Sequence, residues 1–109
     1  MAERIERDAD NKWETYVDWT AFIAEKAKSY PNGPGLTFTL TSSAWNESTG
    51  TLVEEAETQD IGNISHFVCS GGTNGNNYTL VCTGTFSVTE LSATDVTQDQ
   101  TIVIKLEEQ

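Results

Sequence analysis

Few side chains in this chain are equipped for chemistry: one histidine, His66, two cysteines, Cys69 and Cys82, and a string of carboxylates, Glu54, Glu55, Glu57 and Asp60. An imidazole acts as a general base when a serine or cysteine nucleophile stands at motif spacing, and no such pair is legible around His66. It reads as a packing or surface residue within a strand. The carboxylates offer oxygens to a hard cation, but they lack the acid-rich loop with a central glycine that makes a calcium site specific. They read as a solvated acidic edge. The Gly71-Gly72 pair precedes a strand with no lysine after it, whereas a phosphate-cradling loop opens a helix. The sequence therefore predicts no catalytic residue, no metal and no cofactor.

The two cysteines form an even pair, which allows a disulfide in an oxidising compartment. The first residues, Met-Ala-Glu-Arg-Ile-Glu-Arg, are charged and lack the apolar stretch of a secretion signal. Folding in cytoplasm is the expectation, with both thiols reduced and acting as small core hydrophobes. In that compartment the triplets Asn46-Glu-Ser48, Asn63-Ile-Ser65 and Asn77-Tyr-Thr79 carry no glycans. No apolar run reaches the roughly 20 residues of a membrane helix, so no membrane partner is expected.

Net charge is −11, and its distribution is uneven. Every lysine and arginine lies between Arg4 and Lys28 or at Lys105, while Glu47, Glu54, Glu55, Glu57, Asp60, Glu90, Asp95 and Asp99 fill the stretch between. The resulting negative potential repels phosphate backbones and argues against nucleic acid as a partner. Mimicry of nucleic acid by a small acidic inhibitor would also explain the charge.

At 109 residues the chain is one domain. Residues 1–12 show no apolar period and read as an N-terminal arm, with the domain spanning 13–109. Trp13, Thr15, Val17 and Trp19 share one face of a first strand. Ala21 to Ser29 is rich in helix formers, so one or two helical turns follow Asp18 or Thr20. Tyr30 to Gly35 ends them with two prolines and two glycines. Leu36, Phe38 and Leu40 then alternate with threonines, and Trp45 closes that strand. Thr51 to Glu57 reads as a short acidic strand, Asp60 to Asn63 as a turn, and Ile64 to Ser70 as a more buried strand.

Tyr78, Leu80, Cys82, Phe86 and Val88 form the clearest alternation, and Ile102, Ile104 and Leu106 give the last strand one apolar face. Between the two middle strands lies Ser70-Gly-Gly-Thr-Asn-Gly-Asn-Asn-Tyr-Thr79. There Gly71, Gly72 and the Asn74-Gly75 pair suit a tight reversal of the chain. About six or seven short strands separated by such turns predict an all-β, antiparallel β-sandwich of immunoglobulin type. Tyr78 sits where that fold carries a tyrosine corner, although Cys82 follows it by four residues rather than two.

Three stretches resemble the phage fibre-tail adaptor family, small structural proteins of tailed bacteriophages: Tyr16-Val-Asp-Trp-Thr-Ala-Phe-Ile23, Thr41-Ser-Ser-Ala-Trp45 and Ser70 to Thr79. The resemblance spans about Trp13 to Leu106, with Ala24 to Gly35 longer than the family's usual connection. It implies a virion protein assembled in host cytoplasm, present in several copies. Its implied role is joining tail fibres to the tail tube or head-tail connector. On that reading Trp13, Trp19, Phe22, Trp45 and Tyr78 are structural or interface residues. The basic arm with the Trp13 to Trp19 strand would meet one tail component, and loops including Ala24 to Gly35 the fibre. A competing expectation is a carbohydrate or cell-surface binding module stacking sugars on Trp13, Trp19 and Trp45.

Overall fold

The structure, a computed structural model, describes residues 2–7, 12–28 and 35–107, the first of these stretches as backbone alone. One sheet holds β3 (Phe38–Glu47), β7 (Asn77–Val88) and β8 (Ala93–Leu106) as antiparallel neighbours, with β1 (Ala2–Arg7) lying parallel to the C-terminal half of β8. The other is centred on β6 (Ile64–Gly71). There β2 (Trp13–Asp18) pairs along one edge, and β4 (Leu52–Glu54) and β5 (Gln59–Ile61) share the opposite edge. A two-turn helix, α1 (Thr20–Ala27), connects β2 to β3. This is an all-β sandwich of immunoglobulin type with a short helix near the N-terminus, as the alternation predicts.

Period two decides which side chains meet between the sheets. Along β7, Tyr78, Leu80, Cys82, Phe86 and Val88 are buried and their neighbours partly exposed. Ile102, Ile104 and Leu106 of β8 join them, and Trp13, Thr15 and Val17 of β2 with Phe67 and Cys69 of β6 close the core from the second sheet. Burying a side chain the size of leucine contributes about 1.5–3 kcal/mol, so this double row supplies most of the drive to fold. β3 keeps its inward face by a bulge: register shifts between Leu40 and Ser42, which moves the inward parity from Phe38 and Leu40 to Ser43 and Trp45.

The helix forms where its composition suggests, but its N-cap is Trp19, without a side-chain capping bond, rather than the expected Asp18 or Thr20. The Asp18 carboxylate accepts a hydrogen bond from the Thr20 N–H at 2.9 Å, and Ile23 N–H donates to the Trp19 carbonyl at 2.9 Å. Lys28 turns extended, and Leu36 N–H returns to the Lys26 carbonyl at 2.7 Å. Most of the Tyr30 to Gly35 turn, residues 30–34, lies outside the described residues.

Three local expectations change. The Gly/Asn loop does not fold β6 back against β7, because β3 and β8 occupy both edges of β7 and β6 belongs to the other sheet. It carries the chain across the sandwich instead. The turn expected over Asp60 to Asn63 contracts to Gly62-Asn63, with Ile61 opposite Ile64 and Gly62 at a φ of +61°. Within residues 1–12, Ala2–Arg7 contributes a strand whose register runs from Ala2 opposite Thr101 to Arg7 opposite Leu106. Backbone pairing with a neighbour places that strand where no apolar period marked one.

Candidate functional site

The residues singled out in sequence do not converge on one site; they form three braces along the interior. At one end, where β2 passes into α1, the Trp19 indole meets Phe86 edge-on at 5.3 Å between ring centroids and Phe22 at 6.0 Å. Phe22 also contacts Phe38 at 5.6 Å and Phe86 at 5.2 Å, and the Lys26 ammonium lies 5.4 Å from the Phe22 centroid. Trp19 fits because Gly84, opposite it on β7, has no Cβ: one built there would stand 2.9 Å from the indole Cζ2. A glycine at inward parity in an alternating strand is the sequence signal for such an approach.

The second brace crosses the sheets. Trp45 of β3 stacks on Phe67 of β6 at 4.9 Å with 24° between planes. Beside it the Ser43 hydroxyl donates to the Asp60 carboxylate. Ser43, Trp45 and Asp60, with Ala44, Glu54, Thr58 and Gln59, line a cleft of about 280 Å³. Trp13 and Trp19 are 5% and 2% exposed, so two of the three rings considered for stacking sugars face inward.

The third brace is the loop between β6 and β7. Gly71, Gly72 and Gly75 adopt φ of +90°, +83° and +94°, which side chains with a Cβ rarely accept. At Gly72 space excludes a side chain as well, since a Cβ would come within 2.5 Å of Leu106 Cδ1 and 2.9 Å of Leu52 Cδ2. The Tyr78 hydroxyl accepts a hydrogen bond from the Thr73 N–H at 2.8 Å, five residues upstream, which is the tether of a tyrosine corner. Burial raises the Tyr78 phenol, but hydrogen bonds led by the Thr73 N–H outweigh it and leave its pKa below the ordinary value. Asn74 sits half-buried in the turn. Gly75 N–H and the Asn76 carbonyl bond the Leu106 backbone at 2.6 and 3.0 Å, fastening the loop to the end of β8.

The reactive candidates stand apart from one another. Cys69 and Cys82 are free thiols at 0% exposure, each pushed up to about 12 by burial. His66 is half-buried on the outer face of β6, with its ring 6.1 Å from Tyr16. Among the described residues no three histidine, cysteine or carboxylate side chains gather as a metal-binding group, and no helix is long and apolar enough to cross a membrane.

Another cleft lies at the outer edge of β2. It measures about 360 Å³ and is lined by Tyr16, Val17, Asp18 and Trp19 with Ala21 and Phe22 of α1 and Gln98 and Gln100 of β8. Hydrogen bonds from the Thr20 hydroxyl and N–H hold the Asp18 carboxyl below the usual range, so it is anionic near neutrality. Sequence reading missed this place. Compared with family models, with curated proteins and with solved structures, the chain matches none of them.

Proposed function

We propose that this chain is a structural protein of a tailed bacteriophage virion, an adaptor that joins tail fibres to the tail or the head-tail region in several copies. One observation carries the reading. The three stretches that resemble the adaptor family supply the three braces: Trp19 and Phe22 at one end, Trp45 across the middle, and Gly72 with Tyr78 at the other. Side chains spent on fixing two sheets in one geometry suit a joint that transmits position. The acidic body adds orientation toward basic neighbours. Each contact can be weak, because copies around a tail act together.

Mass spectrometry and antibody labelling of purified phage particles test the proposal. The expected result is several copies per tail at the base of the fibres, with fibreless particles when the chain is omitted. Particles that carry fibres but none of this protein would overturn it.

A further inference from the structure

The sheet built on β6 is one strand narrower than its partner. In an immunoglobulin sandwich that sheet has four strands, the outermost lying against the strand that β2 represents here. In this chain the first strand pairs with β8 instead, covering Thr101 to Leu106. Among the described residues, nothing pairs with the outer edge of β2.

The residues around the 360 Å³ cleft show its orientation. Three consecutive residues of β2, Tyr16 to Asp18, line it with Trp19 after them, so the strand's edge faces the cleft, since a strand's face would present only alternate residues. From β8 it takes only Gln98 and Gln100, two residues of one parity, so that strand forms the floor by its inner face. The space therefore lies beside β2 and over β8, where a fourth strand would sit.

The backbone is set to receive one. Trp19 N–H donates to the Asn63 carbonyl at 2.8 Å, so positions of Trp19's parity, including Val17 and Thr15, direct their N–H and C=O toward β6. The intervening Tyr16 and Asp18 direct theirs toward the cleft. Glu14 and Asp18 stand on the exposed face of β2, where the outward side chains of a strand added at that edge would lie beside them, and the chain as a whole carries a net charge of −11. Of the described lysines, Lys12 pairs with Glu57, Lys28 with Glu25 and Lys105 with Glu107, while Lys26 lies over Phe22 and Phe38.

We infer that the outer edge of β2 is a strand-acceptor site, which takes an extended segment of about six residues from another polypeptide, one bearing lysine or arginine on alternate positions. Main-chain hydrogen bonds to Tyr16 and Asp18 hold the segment, Gln98 and Gln100 meet its inward side chains, and its cations face the carboxylates. The inference rests on the adaptor reading only for which polypeptide supplies the segment, so the particle experiment and the following one fail independently.

Two blocked octapeptides, one alternating valine with lysine and one alternating valine with glutamate, probe the site in the isolated chain by amide hydrogen exchange. The lysine peptide is expected to slow exchange at Tyr16 and Asp18 and the glutamate peptide to leave it unchanged. Tyr16→Pro removes an N–H directed away from β6, so the β2–β6 ladder keeps its bonds and the fold is checked by circular dichroism. It should weaken peptide binding by about tenfold, the scale of one lost hydrogen bond. If the proline variant does not fold, a lysine peptide N-methylated on alternate backbone nitrogens replaces it, and should fail to bind. Protection by neither peptide, equal protection by both, or protection at β3 or β1 instead would overturn the inference. So would sedimentation of the unliganded chain as a dimer with Tyr16 and Asp18 protected, because the occupant would then be a second copy.

Discussion

The indole Nε1 of Trp19 donates a hydrogen bond to the hydroxyl of Ser65, 2.9 Å away in the core. Trp19 lies between β2 and α1 and Ser65 is the first inward residue of β6, so one buried polar contact fixes the corner where α1 leaves the sandwich. Ser65→Ala leaves that N–H without its partner and should cost about 1–3 kcal/mol in chemical denaturation. Trp19→His or Trp19→Phe would add the loss of packing on Gly84. A cost for Ser65→Ala below about 0.5 kcal/mol would mean the indole finds another acceptor.

Thr15 makes the opposite case. It is fully buried on β2, and its hydroxyl finds no hydrogen-bond partner among the described residues. Valine has nearly the same shape and carries no polar atom, so Thr15→Val should raise stability by about 1 kcal/mol. The denaturation midpoint measures it directly, and an unchanged or lower midpoint contradicts the prediction.

Tyr78 and Gly72 hold the crossing loop together. Tyr78→Phe keeps the ring and loses the hydroxyl that accepts from the Thr73 N–H, at a cost of about 1 kcal/mol, whereas Tyr78→Ala also empties a core position and should cost about 3–5 kcal/mol. Gly72→Ala combines a strained φ with a clash on Leu106, and several kcal/mol are expected. Equal costs for the two tyrosine variants would show that the hydroxyl, not the ring, dominates.

Much of this fold was legible because it depends on parity alone. The inward rows on β2, β7 and β8 follow from alternation, and the helix from its alanines and charged residues between Trp19 and Lys28. What escaped depends on backbone bonds between distant segments. β1 is held by pairing with Thr101 to Leu106, and nothing in Ala2–Arg7 by itself specifies a neighbour. The bulge after Leu40 rescues Trp45 from the wrong face, yet only the register of β7 reveals it. Turn residues told that the chain bends at Asn74-Gly75 but not which sheet it enters next. The cleft beside β2 was illegible for the same reason: Gln98 and Gln100 lie more than 75 residues from Asp18 in the chain.

Burial governs the thiols. Cys69 and Cys82, each pushed up to about 12, stay protonated near neutrality and should label slowly until the protein unfolds. Mass spectrometry after alkylation in native and denaturing buffers reads this out. Because folding raises both values above the unfolded one, near 8.5, their contribution to stability is complete below about pH 8.5 and is lost as pH rises toward 12. The double variant Cys69→Ala with Cys82→Ala should therefore show a shallower loss of stability between about pH 8.5 and 10.5 than the parent chain. A parallel decline in the two would mean that other groups cause the alkaline loss.

The remaining prediction concerns the edge of the first sheet. β1 meets β8 in parallel register from Ala2 opposite Thr101 to Arg7 opposite Leu106, while β7 bonds the other edge from Thr101 to Lys105. Deleting residues 1–7 removes one ladder and leaves the side chains of Ile102, Ile104 and Leu106 against the core they already share with β7. The shortened chain should thus remain folded, with stability lowered by about 1–3 kcal/mol for the lost backbone bonds. Hydrogen exchange can locate the effect. Alternate amides between Thr101 and Leu106 should exchange faster, while those bonded to β7 keep their protection. Faster exchange at every position would show that β8 melts without β1, and no change at all would show that β1 does not pair there in solution.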